Sequence, residues 1–158
     1  MHLHKAAKTW LRRAIGAVLI TVVFAQTPKQ PLNVELTGRA WDAFNKGNFE
    51  GAIDAAGRCI KEFGADADRE QDKLVKSHAK MPGTSAAEKE KIMARGLLND
   101  VAACTYIKAR SEESLKRLNE ARTSYTACKK YTYARIWDPN GWFWDPSQKC
   151  EDLLKQLK

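Results

Sequence analysis

Residues 39–60 read Arg-Ala-Trp-Asp-Ala-Phe-Asn-Lys-Gly-Asn-Phe-Glu-Gly-Ala-Ile-Asp-Ala-Ala-Gly-Arg-Cys-Ile. This pattern predicts a helix, a tight turn at Gly47-Asn48 and a second helix folded back on the first. Ala40, Ala52 and Ala56 are small where two helices must approach closely, and Phe44, Phe49, Ile53 and Ile60 fill the remaining apolar positions. The pattern returns 69 residues later: Ala109, Leu118, Ala121, Tyr125 and Cys128 follow Ala40, Phe49, Ala52, Ala56 and Cys59. The echo is imperfect, since Lys116 stands at the turn-glycine position and Glu113 at that of Phe44.

The other elements follow from periodicity and punctuation. Helix one is expected over about Val34–Lys46 and helix two over about Phe49–Phe63, with Gly64 as a stop. The stretch 66–84 is charged, with only Leu74 and Val75 as strong apolar residues before Met81-Pro82-Gly83-Thr84 breaks it. It reads either as a degenerate hairpin or, in the preferred reading, as an extension of helix two plus a loop. Ser85 and Glu88 have capping-box spacing, and a long helix to about Ser111 is expected after them. Met93, Leu97, Val101 and Cys104 make one stripe of that helix, and Ala94, Leu98 and Ala102 the stripe beside it. Asp145-Pro146 suits the start of a final capping helix over 146–157, carrying Leu153, Leu154 and Leu157. The expectation is a single all-α domain over 26–158.

The first 25 residues are set aside from the fold. Lys5, Lys8, Arg12 and Arg13 precede an apolar run from Ala14 to Ala25, with Val23-Phe24-Ala25 at its end. This is the pattern of a secretory signal peptide, an uncleaved anchor being the rival reading. It implies a periplasmic or secreted protein with no membrane insertion after cleavage. The chain has 27 Lys and Arg against 19 Asp and Glu. Without the leader's four basic residues, 23 face 19, a mild charge of +4 scattered among acidic residues. That argues against a nucleic-acid partner.

Four cysteines follow the leader: Cys59, Cys104, Cys128 and Cys150. In an exported chain they suit two disulfides. The expected pairs are Cys59–Cys104 and Cys128–Cys150, with Cys104–Cys128 as competitor. His78 is the one histidine beyond the leader and sits in a polar stretch. No Cys-x-x-Cys and no carboxylate pair on an identifiable scaffold is present, so no catalytic residue, metal site or cofactor is expected.

The two helical hairpins resemble tetratricopeptide repeats, whose 34-residue period is close to half the 69-residue offset. The chain also resembles small exported bacterial proteins that join such hairpins to a Tyr-Ala-x-x-Trp-Asp-Pro-x-Gly-Trp-Phe-Trp motif, present here at Tyr133–Trp144. The resemblance implies a fold of tetratricopeptide-like hairpins closed by the C-terminal helix, and a concave groove lined by the first helix of each hairpin. By position, that groove holds Thr37, Trp41 and Asn45 from the first repeat and Tyr106, Arg110 and Glu113 from the second. An aromatic beside hydrogen-bonding residues suits a peptide or protein segment. The alternative site is the aromatic turn over 131–146, where Trp137, Trp142, Phe143 and Trp144 flank Asp138-Pro139-Asn140-Gly141. It reads as a stacking platform for carbohydrate or cell wall, or simply as a plug anchoring the capping helix. The expected function is a non-enzymatic protein–protein interaction module. A short stack has apolar ends that a second copy can cover, so homo-oligomerisation stays open.

Overall fold

The structure, a computed structural model, describes residues 30–157. The leader assigned to 1–25 lies outside them. The chain is mostly helical: α1 Leu32–Asn45, α2 Phe49–Lys76, α3 Lys89–Met93, α4 Gly96–Ser114, α5 Leu118–Cys128 and α6 Pro146–Gln156. The exception is a two-stranded antiparallel sheet, β1 Ile136–Asp138 and β2 Trp142–Trp144. Among the described residues no helix is long and apolar enough to cross a membrane.

The α1–α2 and α4–α5 turns are built alike. Gly47 has φ +73°, and Lys116, 69 residues on, has φ +63°. A left-handed residue is needed at both, and lysine adopts that conformation at a steric cost glycine avoids. Asn48 caps α2 by accepting the Gly51 amide at 3.1 Å, whereas Arg117 offers α5 no side-chain cap. Arg117 instead pairs with Glu50 and ties the two turns together.

The small residues meet where the pattern places them. Ala40, Ala52, Ala56, Ala109 and Ala121 are fully buried. Helix α4 is central and packs on α1, α2, α5 and α6. Its Leu98, Val101, Ala102, Cys104 and Ile107 join the alanines of the first hairpin in the larger core. A second core gathers Ala109, Ala121, Tyr125 and Cys128 under α6.

Three expectations are corrected. Helix α2 passes through Gly64 to Lys76 rather than ending there. Its far end is a rail for the segment after α5. Gln71 donates to Thr132 Oγ1 at 2.8 Å and accepts the Tyr133 amide at 3.2 Å, while Asp68 accepts the Tyr131 hydroxyl at 2.8 Å. The charged stretch is therefore part of α2, with a loop over 77–85, which is the preferred reading of 66–84; only the stop at Gly64 is overturned. Second, the long helix opening at Ser85 is broken: a 3₁₀ turn at Ala86–Glu88 and α3 precede α4. The break is stabilised at the Ile92 carbonyl, which accepts the Arg95 amide at 3.0 Å and the Asn99 side chain at 2.8 Å. Arg95 at the break lies over the Tyr133 ring, 5.6 Å from its centroid. Third, the aromatic turn forms a short hairpin within an otherwise helical fold. Gly141 donates to the Asp138 carbonyl at 2.9 Å and has φ +103°, and the Asp138 carboxylate accepts the Asn140 amide at 2.8 Å.

At the C-terminus, Asp145 caps α6 through the Gln148 amide at 3.0 Å, with Pro146 in the first turn. The Cys128–Cys150 disulfide joins α5 to α6. Cys59 and Cys104 are free, buried thiols, which corrects the second expected bridge. The packing does bring them together: both contact the Thr37 hydroxyl, Cys104 at 3.3 Å and Cys59 at 3.9 Å. The hydrogen bond from Cys104 holds the Cys59 thiol below the usual thiol range. That same contact, with burial, pushes Cys104 up.

Candidate functional site: a cleft between the helices and the hairpin

Two regions the sequence offers as rivals border a single cleft. Its volume is about 340 Å³. Val34, Thr37 and Trp41 come from α1, Gly96, Asn99, Asp100 and Ala103 from α4, and Met93 from the end of α3. The C-terminal segment closes it with Arg135, Ile136, Trp137 and Phe143. The size falls at the low end of the roughly 300–1,000 Å³ typical of ligand pockets.

The hairpin reaches the helices through aromatic contacts. Trp144 meets Tyr106 edge-on at 4.9 Å, and Tyr106 lies 6.2 Å from Trp41. Trp41 packs in turn against Phe44 at 6.2 Å. Strand pairing sets Trp137 opposite Phe143, with the rings 4.9 Å apart. Phe143 is buried at the base, whereas Trp137 is 38% exposed.

The polar groups of the cleft are few and differ sharply. Arg135 is only 6% exposed. Its guanidinium donates to the Thr132, Ala134 and Pro82 carbonyls and pairs with Asp145 at 3.1 Å. Burial lowers its pKa, and Asp145 opposes that shift. Asn99 is held at both ends, since it donates to Ile92 and accepts the Arg135 amide at 2.9 Å. Asp100 is different. Its carboxylate accepts one hydrogen bond, from Asn33 at 2.6 Å. Among the described residues no cation lies within salt-bridge distance of it. Burial raises its pKa above the ordinary carboxylate value.

The groove residues expected from the repeat are divided by the structure. Thr37 and Trp41 border the cleft. Tyr106 adjoins Trp41 but is covered on one side by Trp144. Asn45 is exposed and does not border it. Arg110 and Glu113 bind each other at 2.7 Å, and Glu113 also accepts the Tyr125 hydroxyl. They serve the α4–α5 packing; burial together with the Glu113 contact pushes the Tyr125 phenol up. The aromatic cluster is divided too. Trp142 is 48% exposed and Phe143 2%, because neighbouring residues of a strand face opposite ways. The four aromatics therefore make no single platform.

Asp100 and Asn99 are residues the sequence reading passes over. The available signal is the polar pair Asn99-Asp100 set between Leu97-Leu98 and Val101-Ala102-Ala103-Cys104. Comparison with protein-family models, curated proteins and solved structures returned no match.

Proposed function

We propose that this protein is a non-enzymatic, exported binding module that seats a peptide or protein segment in the cleft between α1, α4 and the β-hairpin. The observation carrying this reading is the lining itself. Trp41 from α1 and Trp137 from β1 both border it as rigid apolar contacts, with a small number of polar groups in the same lining. The bordering residues offer one carboxyl group and no nucleophile beside a base, so binding is the chemistry they support. Export rests on the leader pattern at 1–25. A tetratricopeptide-like origin is supported by the matched left-handed residues Gly47 and Lys116 and by the buried pairs Ala40/Ala109 and Ala52/Ala121.

A second reading, carbohydrate binding, has its own observation. Tyr106, Trp144, Asp138, Asp145, Gln148 and Asp152 border another depression, where aromatic faces stand beside hydroxyl-binding groups. One experiment separates the two. The protein, Trp41→Ala and Trp144→Ala are each screened on a random peptide array and on an oligosaccharide array, with melting curves to verify folding. Peptides whose binding falls at least about tenfold with Trp41→Ala and not with Trp144→Ala support the cleft. Glycan retention with no peptide binding would move the function to the second site.

A further inference from the structure

The most telling group in the molecule is Asp100. A partly buried carboxylate normally has a charged partner, because desolvating an unpaired anion is costly. Among the described residues Asn33 alone hydrogen-bonds it. Val34, Trp41, Ala103, Trp137 and Met93 give the same cleft an apolar lining, and its other polar side chains, Thr37, Asn99 and Arg135, already hold hydrogen-bond partners. Indole faces attract cations, and Trp137 already holds the Lys89 ammonium 4.9 Å from its ring centroid. Resting on the peptide-binding reading, we infer that the cleft selects a peptide segment presenting a lysine or arginine, whose aliphatic stem lies between Trp41 and Trp137 and whose cation pairs with Asp100.

The cations near the cleft are Lys89, held on the Trp137 ring, and Arg135. Arg135 would repel an incoming cation were it free, but its guanidinium is enclosed by three carbonyls and Asp145. A shallower depression adjoins the cleft through Val34, Thr37, Trp41 and Asp100, and its rim adds Asp42, Glu35 and Arg39. Arg39 is paired with Glu35 at 2.6 Å. Asp42 is exposed and makes no ion pair among the described residues, so the approach to Asp100 leans negative although the chain is basic overall.

The test uses four capped peptides, Ala-Ala-X-Ala-Ala with X lysine, arginine, norleucine or glutamate, titrated into isotopically labelled protein and followed by NMR. The lysine and arginine peptides should shift the Trp41 and Trp137 indole resonances and the Asp100 amide. They should bind about tenfold more tightly than norleucine, the value of one charge-assisted contact. Asp100→Asn keeps an acceptor for Asn33 and should erase that preference while norleucine binding persists. Equal binding of lysine and norleucine peptides would overturn the charge selection and leave the cleft as an apolar peptide site. A lysine preference that survives in Asp100→Asn would overturn the role of Asp100. If no peptide shifts any cleft resonance, the peptide-binding reading itself fails.

Discussion

Reducing the Cys128–Cys150 bridge should destabilise the protein by an amount that loop length sets. The two cysteines are 22 residues apart. Closing a loop of that size in the unfolded chain removes entropy equivalent to about 3.4 kcal/mol at 25 °C. The folded state changes little on reduction, because α6 also holds on by burying Leu157 and half-burying Leu153 and Leu154 over Ala109, Ala121 and Tyr125. Arg122 adds a hydrogen bond to the Leu157 carbonyl at 3.1 Å. The loss should therefore act mainly through the unfolded chain. Urea unfolding with and without a phosphine reductant should show a midpoint shift of about 1.5 M, and the melting temperature should drop by about 10 °C. Cys128→Ala/Cys150→Ala should reproduce the loss and be insensitive to reductant. A thiol count on the denatured oxidised protein should find two thiols, Cys59 and Cys104. Superimposable curves in oxidised and reduced samples would refute the reasoning.

Three other outcomes are expected. Lys116→Gly should stabilise by about 0.5–1 kcal/mol in urea unfolding, since lysine at φ +63° is strained and glycine is not. Arg135→Met should cost about 3 kcal/mol by the same assay, because it strands Asp145 and leaves the Thr132, Ala134 and Pro82 carbonyls without their donor. Asp100 should make a pH-dependent contribution of definite sign. Its folded pKa is raised by burial, so the native state holds the proton more tightly and stability falls as pH rises from the unfolded value, about 4, through the folded one. Asp100→Asn should accordingly unfold at higher urea than the parent at pH 7, and the advantage should vanish well below pH 4.

The helical hairpins were legible because their signal is local. Gly47-Asn48 and the alanines at 40, 52 and 56 define a close helix pair without reference to anything distant, and the 69-residue echo identifies the second. The misread parts have partners far away in sequence. Gly64 looks like a stop, but α2 continues because Gln71 and Asp68 bind Thr132, Tyr133 and Tyr131. The α3–α4 break depends on Asn99 and on the ring of Tyr133. Arg110 and Glu113 occupy groove positions by register, yet they face each other and Tyr125 in a way no spacing rule reveals. In sequence, Trp41 and the 137–144 aromatics look like competing sites, whereas the structure sets Trp41 and Trp137 on one cleft. Such convergence depends on chain path.

That chain path has a consequence for when the cleft comes into being. Part of its lining belongs to α1, near the start of the described residues, and part to a hairpin about a hundred residues later. During vectorial emergence from a ribosome or a translocation pore, α1, α2 and α4 can pack while the hairpin is still inside. The intermediate would expose Trp41 and Asp100 on an open face. Closure waits for a contact of long sequence separation, the slowest kind to form. The cleft therefore exists only once residues 136–143 have emerged, and a nascent or truncated chain lacking them would have no cleft even with both helical hairpins folded.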